Sequence, residues 1–180
     1  ALEVEPGITV PLVLLVPVTP EQRQPVVVGI AQHGKQAFLQ KRANEIAELL
    51  GAGVAICLPD VRGTGETIPG DSSRGRSSSA TSLSSSELMF GQTLLGARVR
   101  DVRSVLRYLR SLDDIDSKRI GLWGESFAKP NAEETNVAVP LDATQPQLAE
   151  PLGGLAAIIT ALFEDEVIAV ATRGSLISFR

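Results

Sequence analysis

The residues of this chain best suited to chemistry are Gly124-Glu125-Ser126-Phe127-Ala128, which close the apolar run Ile120-Gly121-Leu122-Trp123. A serine with small residues two places before and after it, directly behind a strand-like run, comes close to the G-x-S-x-G pattern. In that pattern the chain turns sharply and lifts the hydroxyl above a sheet edge. Such a serine attacks a carbonyl carbon and becomes acylated, dividing one difficult step into two easier ones. The flanking positions have to be small because the turn brings them almost into contact. Ala128 stands where the pattern has its last glycine and adds one methyl group. Pro130 restricts Lys129 away from helical geometry, which predicts a short or broken helix behind the serine. Taken alone, the pattern also fits an ordinary serine capping a helix after a strand.

Other reactive side chains are few. The only histidine, His33, lies far upstream of Ser126. The single cysteine, Cys57, sits in the apolar run Gly53 to Leu58 and reads as a buried, inert thiol. His, Cys and carboxylates nowhere cluster at metal-ligand spacing, so no metal is expected. With 17 basic and 21 acidic residues the net charge is −4, which gives no reason to expect a nucleic-acid partner. No apolar stretch approaches the ~20 residues that span a bilayer, so no membrane partner is expected either.

The elements that must position Ser126 follow from the hydrophobic pattern. Ile8 to Val18 reads as a strand, and Val26 to Ala31 as a continuous apolar strand opened by Pro25. Gln32-His33-Gly34-Lys35 reads as a loop, Arg42 to Leu50 as a helix stopped by Gly51 and Gly53, and Val54 to Leu58 as a third strand. Asp71 to Ser86, rich in serine and glycine, has no period and predicts an exposed connection or a flap. Ser84-Ser85-Ser86-Glu87 resembles a capping box starting a helix with Leu95, Val99, Val102, Leu106 and Leu109 along its core stripe. Arg100, Arg103, Arg107 and Arg110 then form a solvated face, balanced by Asp101, Asp113 and Asp114. Asp116 to Arg119 turns into the strand before Ser126. An irregular stretch to about Pro146, a helix over Leu148 to Phe163 and a strand over Val167 to Ala171 complete the chain. Apolar strands alternating with amphipathic helices imply a mostly parallel sheet covered on both faces.

Three segments in this order resemble the α/β-hydrolases, and within them the acetyl xylan esterase-like and related bacterial carboxylesterases. They are Ala31 to Lys35 after the second strand, Asp60-Val61-Arg62-Gly63-Thr64-Gly65-Glu66 after the third, and Gly124 to Ala128. The resemblance spans roughly residues 5 to 178. It implies a three-layer αβα sandwich with a mostly parallel sheet, an α/β-hydrolase fold without its C-terminal strands. It further implies Ser126 as nucleophile, and the backbone N–H of Phe127 and that of Lys35 as oxyanion donors. His33, Gly34, Arg62 and Gly63 would shape the loops beside the site. The family order of serine, acid and then histidine places His33 in the oxyanion loop rather than in the role of base. Asp165 and Glu166 precede the last strand, and neither is assigned as the acid.

The expected activity is hydrolysis of small acyl esters, among them acetylated carbohydrates, with no cofactor. A serine peptidase and a non-catalytic module derived from a hydrolase stay open as alternatives. Nucleotide binding through Gly63-Thr64-Gly65 is a weaker third, since the dinucleotide fingerprint needs a further glycine and a following helix. The lack of a later histidine gives the expectation of a single, incomplete domain over 1–180, the N-terminal portion of a longer esterase. Its uncovered apolar sheet edge would favour association.

Overall fold

The computed structural model describes residues 1–18, 23–68, 79–131 and 150–176. A short hairpin comes first, β1 (Leu2–Glu5) and β2 (Ile8–Val10), turning at Gly7 with φ +75°. The main sheet has five strands: β3 (Leu12–Leu15), β4 (Gln24–Ala31), β5 (Ala55–Pro59), β6 (Ile115–Glu125) and β7 (Val167–Arg173). Their spatial order is β3-β5-β4-β6-β7, with β3 antiparallel to β5 and every other pairing parallel. The single strand expected over Ile8 to Val18 is divided at Pro11, so β2 serves the hairpin and β3 the sheet.

The two faces of the sheet follow from the two-residue period of a strand. Val26, Val28 and Ile30 of β4, Ala55 and Cys57 of β5, and Ile120 and Leu122 of β6 share one face. That face is covered by α4 (Leu94–Arg110), through Val102, Val105, Leu106 and Leu109, and by α5 (Leu152–Ala161), through Ala156 and Ala157. Ile56, Leu58 and Trp123 face the other way, against Phe38 of α1 (Gly34–Lys41) and Ile46 of α2 (Ala43–Gly51). The result is an αβα sandwich. Phe38 lies where Gly29 leaves room for it, since a Cβ on Gly29 would come within 2.9 Å of the ring. Cys57 is fully buried, and burial pushes its thiol up to about 12, so it has no nucleophilic form at neutral pH.

Several sequence-based expectations are corrected. Gly34 and Lys35 are not loop residues but the first turn of α1. The helix expected from Ser84 is two helices, α3 (Ser79–Met89) and α4, so Ser84 to Glu87 lie inside α3. Gly91, at φ +72°, ends α3, and Thr93 caps α4 by accepting from the Gly96 N–H at 3.0 Å. The expected loop over Asp71 to Ser86 is helical from Ser79; residues 71–78 lie outside the described residues. Asp101 does not balance the arginine face, because it is fully buried against Arg62. The last helix starts at Leu152 behind Pro151 rather than at Leu148, which lies outside the described residues.

Candidate active site

Ser126 follows directly on β6, a strand flanked by β4 and β7. The β4–β6 ladder runs in register to Ala31 opposite Glu125, which sets Gln32 beside Ser126 at the carboxyl edge of the sheet. On the other side the Ser126 N–H donates to the Arg173 carbonyl at 2.9 Å, tying the serine to the end of β7. Residues 126–131 form no helix, as Pro130 predicts. Every positive φ among the described residues belongs to a glycine, so Ser126 lies outside the left-handed region. The corner is made without backbone strain stored on the serine.

The packing place behind this corner is taken by α5. A Cβ on Gly124 would fall on the Gly153 carbonyl, and a Cβ on Gly153 would fall on the backbone of Ile30 and Glu125. Two glycines 29 positions apart thus supply the close helix–strand contact that small residues around a nucleophilic serine ordinarily provide. The Ser126 hydroxyl also donates to the Glu150 carbonyl at 3.1 Å. The chain therefore leaves the sheet at Ser126 and, 24 residues later, is back at the same hydroxyl before α5 begins.

Gln32 is 6 % exposed and is the other partner of Ser126. In one orientation its amide pairs with the backbone around it: the nitrogen donates to the Glu125 carbonyl at 3.1 Å. The oxygen then lies 3.1 Å from the Phe127 N–H nitrogen, 3.2 Å from that of Ala128, 3.1 Å from Ser126 Oγ and 3.3 Å from His33 Nδ1. The single Ser126 hydroxyl proton is then shared between the Gln32 and Glu150 oxygens. Among the described residues the hydroxyl thus faces an amide and a carbonyl, neither of which can take up a proton.

Glu125, 1 % exposed, is held by Arg42 through a two-pronged ion pair, Nε to Oε2 at 2.8 Å and Nη2 to Oε1 at 3.0 Å. Hydrogen bonding to Glu125 raises the Arg42 pKa above the ordinary arginine value against the opposing effect of burial. Arg42 forms the joint between α1 and α2, so this pair fixes the end of β6 to the opposite layer. Its guanidinium also lies 5.4 Å from the centre of the Phe127 ring, with Lys41 Nζ at 4.8 Å. Phe127 packs edge-on to Phe38 at 6.1 Å, and His33, exposed, lies 6.4 Å from it.

Lys35 does not present its amide to the serine. The N–H donates to Asp60 Oδ1 at 2.6 Å, and Nζ binds both Asp60 Oδ2 at 2.6 Å and Glu66 at 2.5 Å. Burial would lower the Lys35 pKa, but the hydrogen bonds to these two carboxylates outweigh it and raise the pKa. The expected role of this amide as an oxyanion donor is therefore corrected: Asp60, fully buried, has already claimed it. A Cβ on Gly34 (φ +75°) would come within 2.5 Å of Asp60 Oδ1 and of Gly65, so only glycine fits there. The Gly63-Thr64-Gly65 segment also closes on Asp60, with the Glu66 N–H donating to Oδ2 at 3.0 Å. A carboxylate thus fills the space that a phosphate would need. Arg62 is pinned to Asp101, Nη2 to Oδ1 at 2.7 Å, and to Glu5 at 2.5 Å; Asp101 hydrogen bonds hold its pKa above the ordinary range. It anchors the loop to α4 and β1. Gly63, at φ +77°, lies against Arg98.

Sequence reasoning missed Gln32 and the Arg42–Glu125 pair as parts of the site. The legible signal for the latter was a glutamate directly behind the apolar run Ile120 to Trp123, since a charge in such a place needs a partner.

No protein-family model matches the chain, and neither does any curated protein sequence. Solved structures do. A protein from Bacteroides fragilis NCTC 9343, put forward as an acetyl xylan esterase, superposes with a TM-score of 0.67 at 15% identity, over 93% of this chain and 42% of its own. Est1E from Butyrivibrio proteoclasticus, with ferulic acid bound, gives 0.55 at 16% identity, over 91% and 48%. A dienelactone hydrolase from Anabaena variabilis ATCC 29413 gives 0.57 at 20% identity, over 97% and 62%. The chain has the α/β-hydrolase fold. It spans about half the length of the structures it matches.

Proposed function

We propose that this chain carries the nucleophile-bearing part of a serine ester hydrolase acting on small acyl esters, including acetylated carbohydrates, through an acyl-serine intermediate. The observation that carries this reading is the location of Ser126. Its hydroxyl sits at the carboxyl edge of a central parallel strand, within 3.1 Å of an oxygen that the Phe127 N–H already binds. That edge is where open parallel sheets bind ligands. Attack by Oγ would place the developing negative charge beside the Phe127 amide, and losing one such donor typically costs about 3 kcal/mol of transition-state stabilisation. In this reading the group that takes the serine proton is supplied from outside these 180 residues, because the single histidine, His33, stays with the oxyanion loop. The substrate class is drawn from the fold's likeness to the structure put forward as an acetyl xylan esterase and to Est1E with ferulic acid bound.

A second reading, a non-catalytic module, is favoured by the unstrained backbone at Ser126 and by its tie to Glu150. Fluorophosphonate labelling of the full-length protein separates the two. Ser126→Ala should abolish the label and lower p-nitrophenyl acetate turnover by about 10⁴-fold or more. Label persisting undiminished in that variant removes Ser126 as the nucleophile.

A further inference from the structure

We propose that the Gln32 side chain is an internal occupant of the oxyanion site, holding it closed until a substrate carbonyl takes its place. The inference rests on the reading of Ser126 as nucleophile and adds to it the second donor of the site and the group that guards it. The backbone N–H groups of Phe127 and Ala128 converge on one point, and the Gln32 oxygen occupies that point at 3.1 and 3.2 Å. Consecutive amides aimed at a single oxygen form a concavity suited to negative charge. The occupant is itself a neutral carbonyl, the same chemical group as the reacting end of an ester. It also stands at hydrogen-bonding distance from Ser126 Oγ, where a scissile carbonyl would stand.

Two features make this an occupant that can be displaced. Both N–H contacts are made to a neutral oxygen, and an oxygen that develops negative charge binds such donors more strongly and competes for them. The side chain also reaches the site from beside it, with its nitrogen on the Glu125 carbonyl, so what has to yield is one side chain and not the backbone of a strand. Each amide has one proton to give, and two oxygens cannot share the same pair of donors. Substrate binding and Gln32 binding therefore exclude each other. The second donor thus becomes Ala128 in place of Lys35, whose amide is held by Asp60.

Removing the plug should speed reaction at Ser126, the opposite of what removing a structural prop would do. In the full-length protein Gln32→Ala should raise the second-order rate of fluorophosphonate labelling about tenfold, equivalent to ~1.4 kcal/mol. Where the wild type labels, a folded Gln32→Ala protein that labels at the same rate or more slowly overturns the proposal. Should that variant fail to fold, Gln32→Glu keeps the shape of the side chain. Its carboxylate, bound more firmly by the two amides, should suppress labelling at neutral pH and release it on acidification as the group becomes neutral. A Gln32→Glu protein that labels like the wild type at both pH values overturns it too. Amide hydrogen exchange reads the occupancy independently of any reaction: Phe127 and Ala128 should be protected in the wild type and lose protection in Gln32→Ala. Unchanged protection defeats the plug. Lost protection in a protein that never labels leaves the plug standing and removes the nucleophile assignment.

Discussion

At the scale of single residues, the Arg42–Glu125 pair shows how a buried charge next to Ser126 is neutralised by one partner from the helical layer. Glu125 is buried, whereas the Arg42 side chain retains 20% of its exposure. Deleting the arginine leaves a carboxylate stranded in the interior, and breaking a buried pair in this way costs roughly 3 kcal/mol. Urea denaturation of Arg42→Ala should show a loss of about that size, and Arg42→Ala/Glu125→Gln should recover part of it, because the stranded charge is then gone. A double variant no more stable than the single one would mean that packing on Phe127, not charge, accounts for the loss. The same residues mark the limit of what the sequence discloses. Ser126 was legible because its neighbours in sequence are its neighbours in space. Gln32 and Arg42 lie 94 and 83 positions away from the atoms they hold, and nothing local to either announces the partner.

At the scale of elements, legibility followed the length of the apolar run. Strands β4 and β5 and the second half of β6 bury continuous or alternating apolar residues, and β7 carries an apolar run although most of it is exposed; their existence was readable from that pattern. Helix α1 was not, because it buries only Gly34 and Phe38 and presents lysine and glutamine elsewhere. Helix α3 was hidden by serine, and the hairpin strands β1 and β2 are too short to show a period. The seating of α5 was unreadable for a different reason: it depends on backbone against backbone. Gly153→Ala would drive a methyl group into the main chain of both β4 and β6, neither of which can yield, so α5 must lift. Thermal melting should register a loss of about 3 kcal/mol or more. Gly51→Ala, at the end of α2 with nothing within 4 Å, should instead stabilise by about 0.5 kcal/mol.

At the scale of the whole molecule, ion pairs fasten the layers at their rims. Glu164, between α5 and β7, receives Arg103 at 2.6 Å and Arg110 at 2.7 Å, both from α4. Burial would raise its pKa, but the two arginines outweigh that and hold it below the ordinary value of 4.5. A carboxyl group with a depressed folded-state pKa adds stability above its unfolded pKa and loses it as the pH falls through the folded one. The stability gap between wild type and Glu164→Gln should therefore be widest near neutrality and close below about pH 4.5. Denaturation midpoints at pH 6.5 and pH 3.5 check this; a gap as wide in acid as near neutrality would mean that Glu164 contributes by shape rather than by charge. The side of the sheet ending in β7 leaves Ile168 and Val170 exposed.

The meeting of Ser126 Oγ with the Glu150 carbonyl has one more consequence. One side chain at the end of β6 holds the main chain two residues ahead of α5, and so ties a strand to the helix that covers it. Ser126→Ala would remove that tie together with the hydroxyl, so its melting temperature, read beside its turnover, tells a lost anchor from a lost attacking group.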